Sequence, residues 1–174
     1  MERFATVPFF LTRGEDEMSA TTITTTREMV HGLLRLHERT LTIQWRLATK
    51  TERVGWGIRK DHEVEAVKEI VVPVVRLGGA AVRSGWWSWP PGLRLVLTAA
   101  DLTALEGLAG SHGLRLDHPA ELVVRVRRAD RLAAEEFCAE LALAIAEAQA
   151  PEGDRHIPRP RQAALRPGSA DSGH

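Results

Sequence analysis

The chain has 174 residues, 44% hydrophobic and 26% charged, with 23 Lys and Arg balanced by 23 Asp and Glu. That length suits one domain with tails, and the neutral total argues against a dedicated nucleic-acid binder, because neutralising phosphates takes a concentrated basic surface. No run approaches the roughly 18 uncharged apolar residues that span a bilayer, and a lone Cys138 excludes an internal disulfide or a cysteine-built zinc site.

Phe9, Phe10 and Leu11 form an apolar block near the start, but it is short and Glu15, Asp16 and Glu17 follow at once. That is no secretory signal, so a cytoplasmic location is the default expectation. Residues 1–26 show no clean period and include a threonine run at 21–26, so they read as a weakly structured extension. The folded unit is expected over 27–150. Within it, residues 27–130 carry 16 basic against 12 acidic residues, a balance of +4.

The first predicted strand covers residues 30–38. After a turn at Glu38-Arg39-Thr40 comes the clearest one, 41–48, in which Leu41, Ile43, Trp45 and Leu47 alternate with Thr42, Gln44, Arg46 and Ala48. Period two marks a half-buried strand, and the two segments read as a hairpin. Residues 49–63 are polar, with Gly55 and Gly57 around Trp56, and read as a long loop with at most a short strand at 54–58. A third strand over 64–72 stops at Pro73, which has no N–H for a ladder. Gly78-Gly79 marks a turn. A fourth strand over 80–87 then runs into the stiff turn Ser88-Trp89-Pro90-Pro91-Gly92.

Leu93, Leu95 and Leu97 alternate in a fifth strand. Residues 101–110 are a loop or one helical turn, with Asp101 placed to cap it. Residues 114–117 give a short sixth strand, and residues 121–128 a seventh with Leu122, Val124 and Val126 inward. Asp130 sits where an N-cap belongs, ahead of an acidic amphipathic helix over 131–149. Ala134, Phe137, Cys138, Leu141, Ile145 and Ala148 form its apolar stripe, with Glu135, Glu136, Glu140 and Glu147 on the flanks. From Pro151 the chain turns rich in proline and arginine, and residues 151–174 read as a disordered tail.

The expected fold is therefore mainly β, a seven-stranded antiparallel barrel or sandwich capped by one C-terminal α-helix. That element order, with HGLLRLHERTLTIQWRL (31–47), RLVLTAADLTALEGLAG (94–110) and ELVVRVRRADRLAAEEF (121–137), resembles a bacterial domain of the pleckstrin-homology (PH-like) superfold. The likeness covers about two thirds of the chain and implies a binding scaffold rather than a chemistry. Lipid-binding members of the superfold carry several basic residues in the first hairpin loop. The corresponding Glu38-Arg39-Thr40 offers one arginine beside an acid, which argues against phosphoinositide binding.

Tryptophan gives the leading candidate for an interaction surface. Trp86, Trp87 and Trp89 lie in the 85–92 turn, and Trp56 lies between Arg53 and Arg59; exposed aromatics with arginine are typical anchors. Other chemistry finds little support. His31 and His37 fall on one side of a strand but about 20 Å apart, too far to share a metal, and His62, His112 and His118 lack ligand spacing. Cys138 lies on the apolar stripe, where a thiol is inert. Gly110-Ser111-His112-Gly113 is not a nucleophile elbow, and Gly78-Gly79 lacks the Lys and Ser/Thr of a phosphate loop. Arg94, Arg115, Arg125, Arg127 and Arg128 lack interleaved aromatics and read as a solvated sheet face.

The sequence thus predicts a non-enzymatic binding or scaffold module for a protein partner, with no catalytic residues, cofactor or metal. Two alternatives stand beside it: a small-ligand barrel or unrecognised enzyme with an internal polar pocket, and a structural domain that self-associates through a strand edge.

Overall fold

A computed structural model describes residues 4–85, 92–108, 114 and 116–150. Residues 86–91 and 151–174 lie outside the described residues, and with them the expected turn bearing Trp86, Trp87 and Trp89 and the expected disordered tail; so does the Gly110–Gly113 motif. The described chain is mainly β, with one C-terminal helix.

Eight strands form an open antiparallel sheet: β1 (Phe4–Met18), β2 (Ile23–His37), β3 (Thr40–Val54), β4 (Ile58–Val64), β5 (Lys68–Pro73), β6 (Leu77–Gly85), β7 (Gly92–Ala99) and β8 (Glu121–Val126). Their order is β4-β3-β2-β1-β8-β7-β6, with β5 also paired to β3. The β2–β3 hairpin forms in full register from His37↔Thr40 to Ile23↔Val54. Its turn places Glu38 at φ 50°, the left-handed region that a side chain enters at a cost of roughly 1–2 kcal/mol.

The expected alternation holds where one face meets the core. Leu41, Ile43, Trp45 and Leu47 are buried, as are Leu122, Val124 and Val126 and, in β7, Leu93, Leu95 and Leu97. The helix α1 spans Arg131–Gln149, and Ala134, Phe137, Leu141, Ala144 and Ile145 are its buried positions. It packs across β6 and β1 and against the 3-10 turn Val74–Arg76. Burying Phe137, Leu141 and Ile145 contributes roughly 1.5–3 kcal/mol each. The helix is therefore a wall of the core.

Several expectations need correction. Residues 4–18 are no weakly structured extension; they form β1, which lies between β2 and β8. Ala5, Val7 and Phe9 point into the core, an alternation hidden in the sequence by Pro8 and Phe10 on the outer face. Gly32, opposite Phe9, leaves room for that ring: a Cβ there would sit 2.1 Å from a Phe9 carbon and 2.6 Å from the Gln44 carbonyl oxygen.

Residues 49–63 are not a loop either. β3 runs on to Val54 and returns as β4 after a turn at 55–57, so the hairpin replaces the short strand expected at 54–58. Every residue of β4 is exposed, so no apolar alternation announced it. Between Val64, opposite Ala48, and Lys68, opposite Trp45, the edge advances four residues against three on β3. β4 and β5 are thus one edge strand interrupted by a bulge, which accounts for eight strands where seven were expected.

Gly78-Gly79 is not a turn but lies within β6, where the register shifts between Leu77 and Gly79 and Gly79 takes φ 156°. Of the expected strand at 114–117, Leu114, Leu116 and Asp117 carry no strand structure, and Leu114 simply plugs the core. Asp130 occupies the N-cap position without a capping hydrogen bond. The 3-10 turn Arg128–Asp130 sets its ψ at 14° rather than in the extended region that capping uses.

One polar clamp ties the end of the sheet. Arg76 donates from Nε and Nη2 to Asp101 Oδ2 and Oδ1 at 3.2 and 2.9 Å, and Asp101 Oδ1 also accepts the Thr103 N–H at 2.9 Å. Those bonds, Arg76's first, hold the Asp101 carboxyl well below the usual carboxylate range. Its stabilisation is therefore complete above the unfolded-state value of about 4 and is lost as pH falls through the folded one.

Two outcomes follow. Removal of residues 1–18 should abolish the cooperative urea transition followed by far-UV circular dichroism; a retained transition would make β1 dispensable. Asp101→Asn should lower the urea midpoint at pH 7, and the gap to the parent chain should shrink in strong acid. A gap unchanged by pH would remove the clamp from the account.

Candidate interaction surface

Beyond the core, β1 to β4 continue as a four-stranded blade. Pairing registers define its cross-strand rows, and successive rows face opposite sides. The last row inside the core is Leu11–Val30–Leu47, where Val30 and Leu47 are buried. On that same side the blade then carries Arg13–Glu28–Thr49–Glu63, Glu15–Thr26–Thr51–Asp61 and Glu17–Thr24–Arg53–Arg59. No apolar residue is among them.

The other side differs. It carries Thr12–Met29–Ala48–Val64, then Gly14–Arg27–Lys50–His62, then Asp16–Thr25–Glu52–Lys60, and finally Met18–Ile23–Val54–Ile58 at the tip. The tip row is 42–78% exposed. Neither the row nor its exposure could be read from the sequence, because the four residues meet only once three hairpin registers are set.

Two turns close the blade side by side. Ser19 and Thr22 exchange hydrogen bonds in the first: the Ser19 N–H to the Thr22 carbonyl at 2.9 Å, and the Thr22 N–H to Ser19 Oγ at 3.1 Å. In the second, the Gly55 N–H donates to the Gly57 carbonyl at 3.0 Å. A Cβ on Gly55 would lie 3.2 Å from the Thr21 carbonyl oxygen, so the turns touch.

Trp56 stands at the second turn, fully exposed at 103%. Arg53 and Arg59 are directly opposite each other, one row behind the Val54–Ile58 pair that flanks its turn. Like charges so placed repel, and Arg59 is partly offset by Asp61 at 3.3 Å. The fold therefore gathers Trp56, Arg53 and Arg59 at one hairpin end. Trp45, by contrast, is 2% exposed and part of the core.

Arg94 and Arg125 face each other across β7 and β8, and the Arg125 guanidinium lies 5.5 Å from the Phe10 ring centre, a cation–π contact. A hollow of about 160 Å³ opens beside Phe9, with His31, Arg127 and Asp130 on its rim. That is below the roughly 300–1,000 Å³ of ligand pockets. Among the described residues no buried side chain is polar or charged, and no group of His, Cys, Asp or Glu is arranged to hold a metal ion. No helix among them is long and apolar enough to cross a membrane.

Comparison with known protein families, with curated proteins and with solved structures returns no match for this chain.

Cys138 is half-buried beside Phe137 on α1. Burial first, and the Glu135 carboxylate second, push its thiol up to about 11. Since the thiolate is the nucleophile, iodoacetamide at pH 8.5 should modify the native chain at least about tenfold more slowly than the urea-unfolded chain. Equal rates, read by mass spectrometry, would contradict that environment.

Proposed function

We propose that this chain is a non-enzymatic binding module on a PH-like scaffold, which engages a protein partner through the end of the β3–β4 hairpin. The observation that carries the reading is the convergence of Trp56, fully exposed, with Arg53 and Arg59. Trp and Arg dominate the energetics of protein interfaces, because each offers a large contact area together with hydrogen-bond donors. A solvent-facing tryptophan on a two-glycine turn has no packing role in its own domain.

The PH-like resemblance is supported by the arrangement of the strands. Two antiparallel runs, β1–β5 and β6–β8, meet where β1 pairs with β8, and a C-terminal helix closes the core. Among the described residues no buried side chain is polar or charged, which favours a surface role over internal chemistry.

A second contact mode has its own observation. β6 ends the sheet beside α1, and its run Gly78-Gly79-Ala80-Ala81 is small enough for another backbone to approach and add as a strand.

Affinity capture from the source cell's lysate separates the two. Full-length chain and its Trp56→Ala and Arg53→Glu/Arg59→Glu variants serve as baits, with Ala81→Pro as the edge probe. These positions are exposed, so for the tip variants stability should shift by no more than about 0.5 kcal/mol. The tip reading expects captured proteins to be lost with both tip variants and kept with Ala81→Pro. The reverse pattern transfers the contact to β6, and equal recovery by all baits rejects both.

A further inference from the structure

The blade's outer side carries a pattern that matches itself when turned end for end. We propose that two copies of this chain pack through that side, related by a two-fold axis running across the strands at the level of Glu15 and Thr51. Such an axis sets each strand over its own counterpart, and it sets the tip row over the row that begins at Thr12. Ile23 then meets Met29 of the second copy, Val54 meets Ala48, and Ile58 meets Val64. Between those apolar rows Glu52 meets Lys50, and symmetry repeats every pair.

The charges select this arrangement over others. Arg27 and Lys50 are directly opposite each other on β2 and β3, with His62 next on β4. That row concentrates positive charge on one strip, which a sheet ordinarily avoids. Two residues further along, Asp16 and Glu52 form the acidic strip, and Lys60 reaches Glu52 at 3.4 Å. End-for-end packing sets Glu52 of each copy over Lys50 of the other, and Asp16 over Gly14, beside Arg27. Arg27 falls over Thr25, and Lys60 over His62 at the solvent-washed margin of β4.

Apolar residues point the same way. Ile23, Val54, Ile58 and Val64 are 42–68% exposed on this side, whereas the three rows on the opposite side carry none. A single-layer sheet with both sides in water lacks a core, and stacking two layers about 10 Å apart supplies one. Six residue steps by three strand spacings give a patch about 20 Å long and about 15 Å between outer strand axes, roughly 300 Å² on each copy and below the range of stable specific interfaces. The dimer is accordingly weak and concentration-dependent. It leaves Arg53 and Arg59 on the far side of the blade, so two copies of the proposed partner-binding end are presented by one assembly.

Sedimentation velocity on the full chain over a concentration series tests this, with circular dichroism confirming that each variant is folded. A monomer–dimer equilibrium is expected. Lys50→Glu should raise the dissociation constant by about tenfold, since it touches two symmetric ion pairs. Ile58→Asp should abolish dimerisation, and combining Lys50→Glu with Glu52→Lys should recover most of the affinity lost with Lys50→Glu alone. A monomer throughout the series overturns the proposal. So does a dimer indifferent to Ile58→Asp, or a double variant no tighter than the single one. Capture of partner proteins by the unaltered chain, should it stay monomeric throughout the series, would separate this failure from that of the tip reading.

Discussion

The two halves of this sheet are held together by buried side chains far more than by hydrogen bonds between strands. β1 pairs with β2 over fifteen residue pairs, but its ladder with β8 is recorded at one position, Phe10 opposite Arg125. What joins β1–β5 to β6–β8 is therefore the shared interior. Val7, Leu34, Ile43, Leu95, Leu97, Val124 and Phe137 are all fully buried in one cluster. Apolar burial is non-directional and scales with area removed from water, so it can weld two runs of strands whose edges barely meet. α1 completes that interior by covering β6 and β1 at once. The open sheet tolerates its gap because side chains fill it.

Where the interior stops, the physics changes. Past Leu11, Val30 and Leu47 the strands keep their pairing for seven further rows that lie outside the core. Threonines at 24, 25, 26, 49 and 51 supply β-branched stiffness there, and charges of both signs alternate around them. Local propensity and backbone ladders maintain such a blade, and neither identifies what it touches. Its free edge is guarded, since β4 carries Arg59, Lys60, Asp61, His62 and Glu63 in succession, and the bulge before Lys68 breaks the straight run. Charges and bulges at an edge discourage strand addition by stray chains. The sides and the tip are the parts of the blade left to be recognised.

How much could be read from the sequence divides along the same line. The helix was legible to its ends, because the stripe from Ala134 to Ile145 repeats at helical spacing and Pro151 follows. The segment from Leu41 to Leu47 was legible because one side is in the core. β1 was obscured because the outward-facing Pro8 and Phe10 are themselves apolar or ring-shaped, which turns an alternation into a run. β4 left no trace because both of its sides meet water, and period two is a signature of burial rather than of extension. The Gly78-Gly79 pair was misread for a related reason. Glycine relaxes the backbone, and a bulge uses that freedom as readily as a turn does.

Of the candidate surface, the sequence offered Trp56, Arg53 and Arg59 as neighbours along the chain, whereas the tip row was beyond it. Met18 and Ile58 are forty residues apart in sequence and join one row only through Ile23 and Val54. Register is set by the turns at 19–22, Glu38-Arg39 and 55–57, and a one-residue slip in one of them would turn Ile23, Val54 or Ile58 to the opposite side of its row. Those turns are thus as much part of the surface as the residues displayed. A slip would also carry the row Arg27–Lys50–His62 out of line with Glu52, so the charge pattern and the apolar tip stand or fall together. The same short turns that end the strands determine which side of the blade another molecule meets.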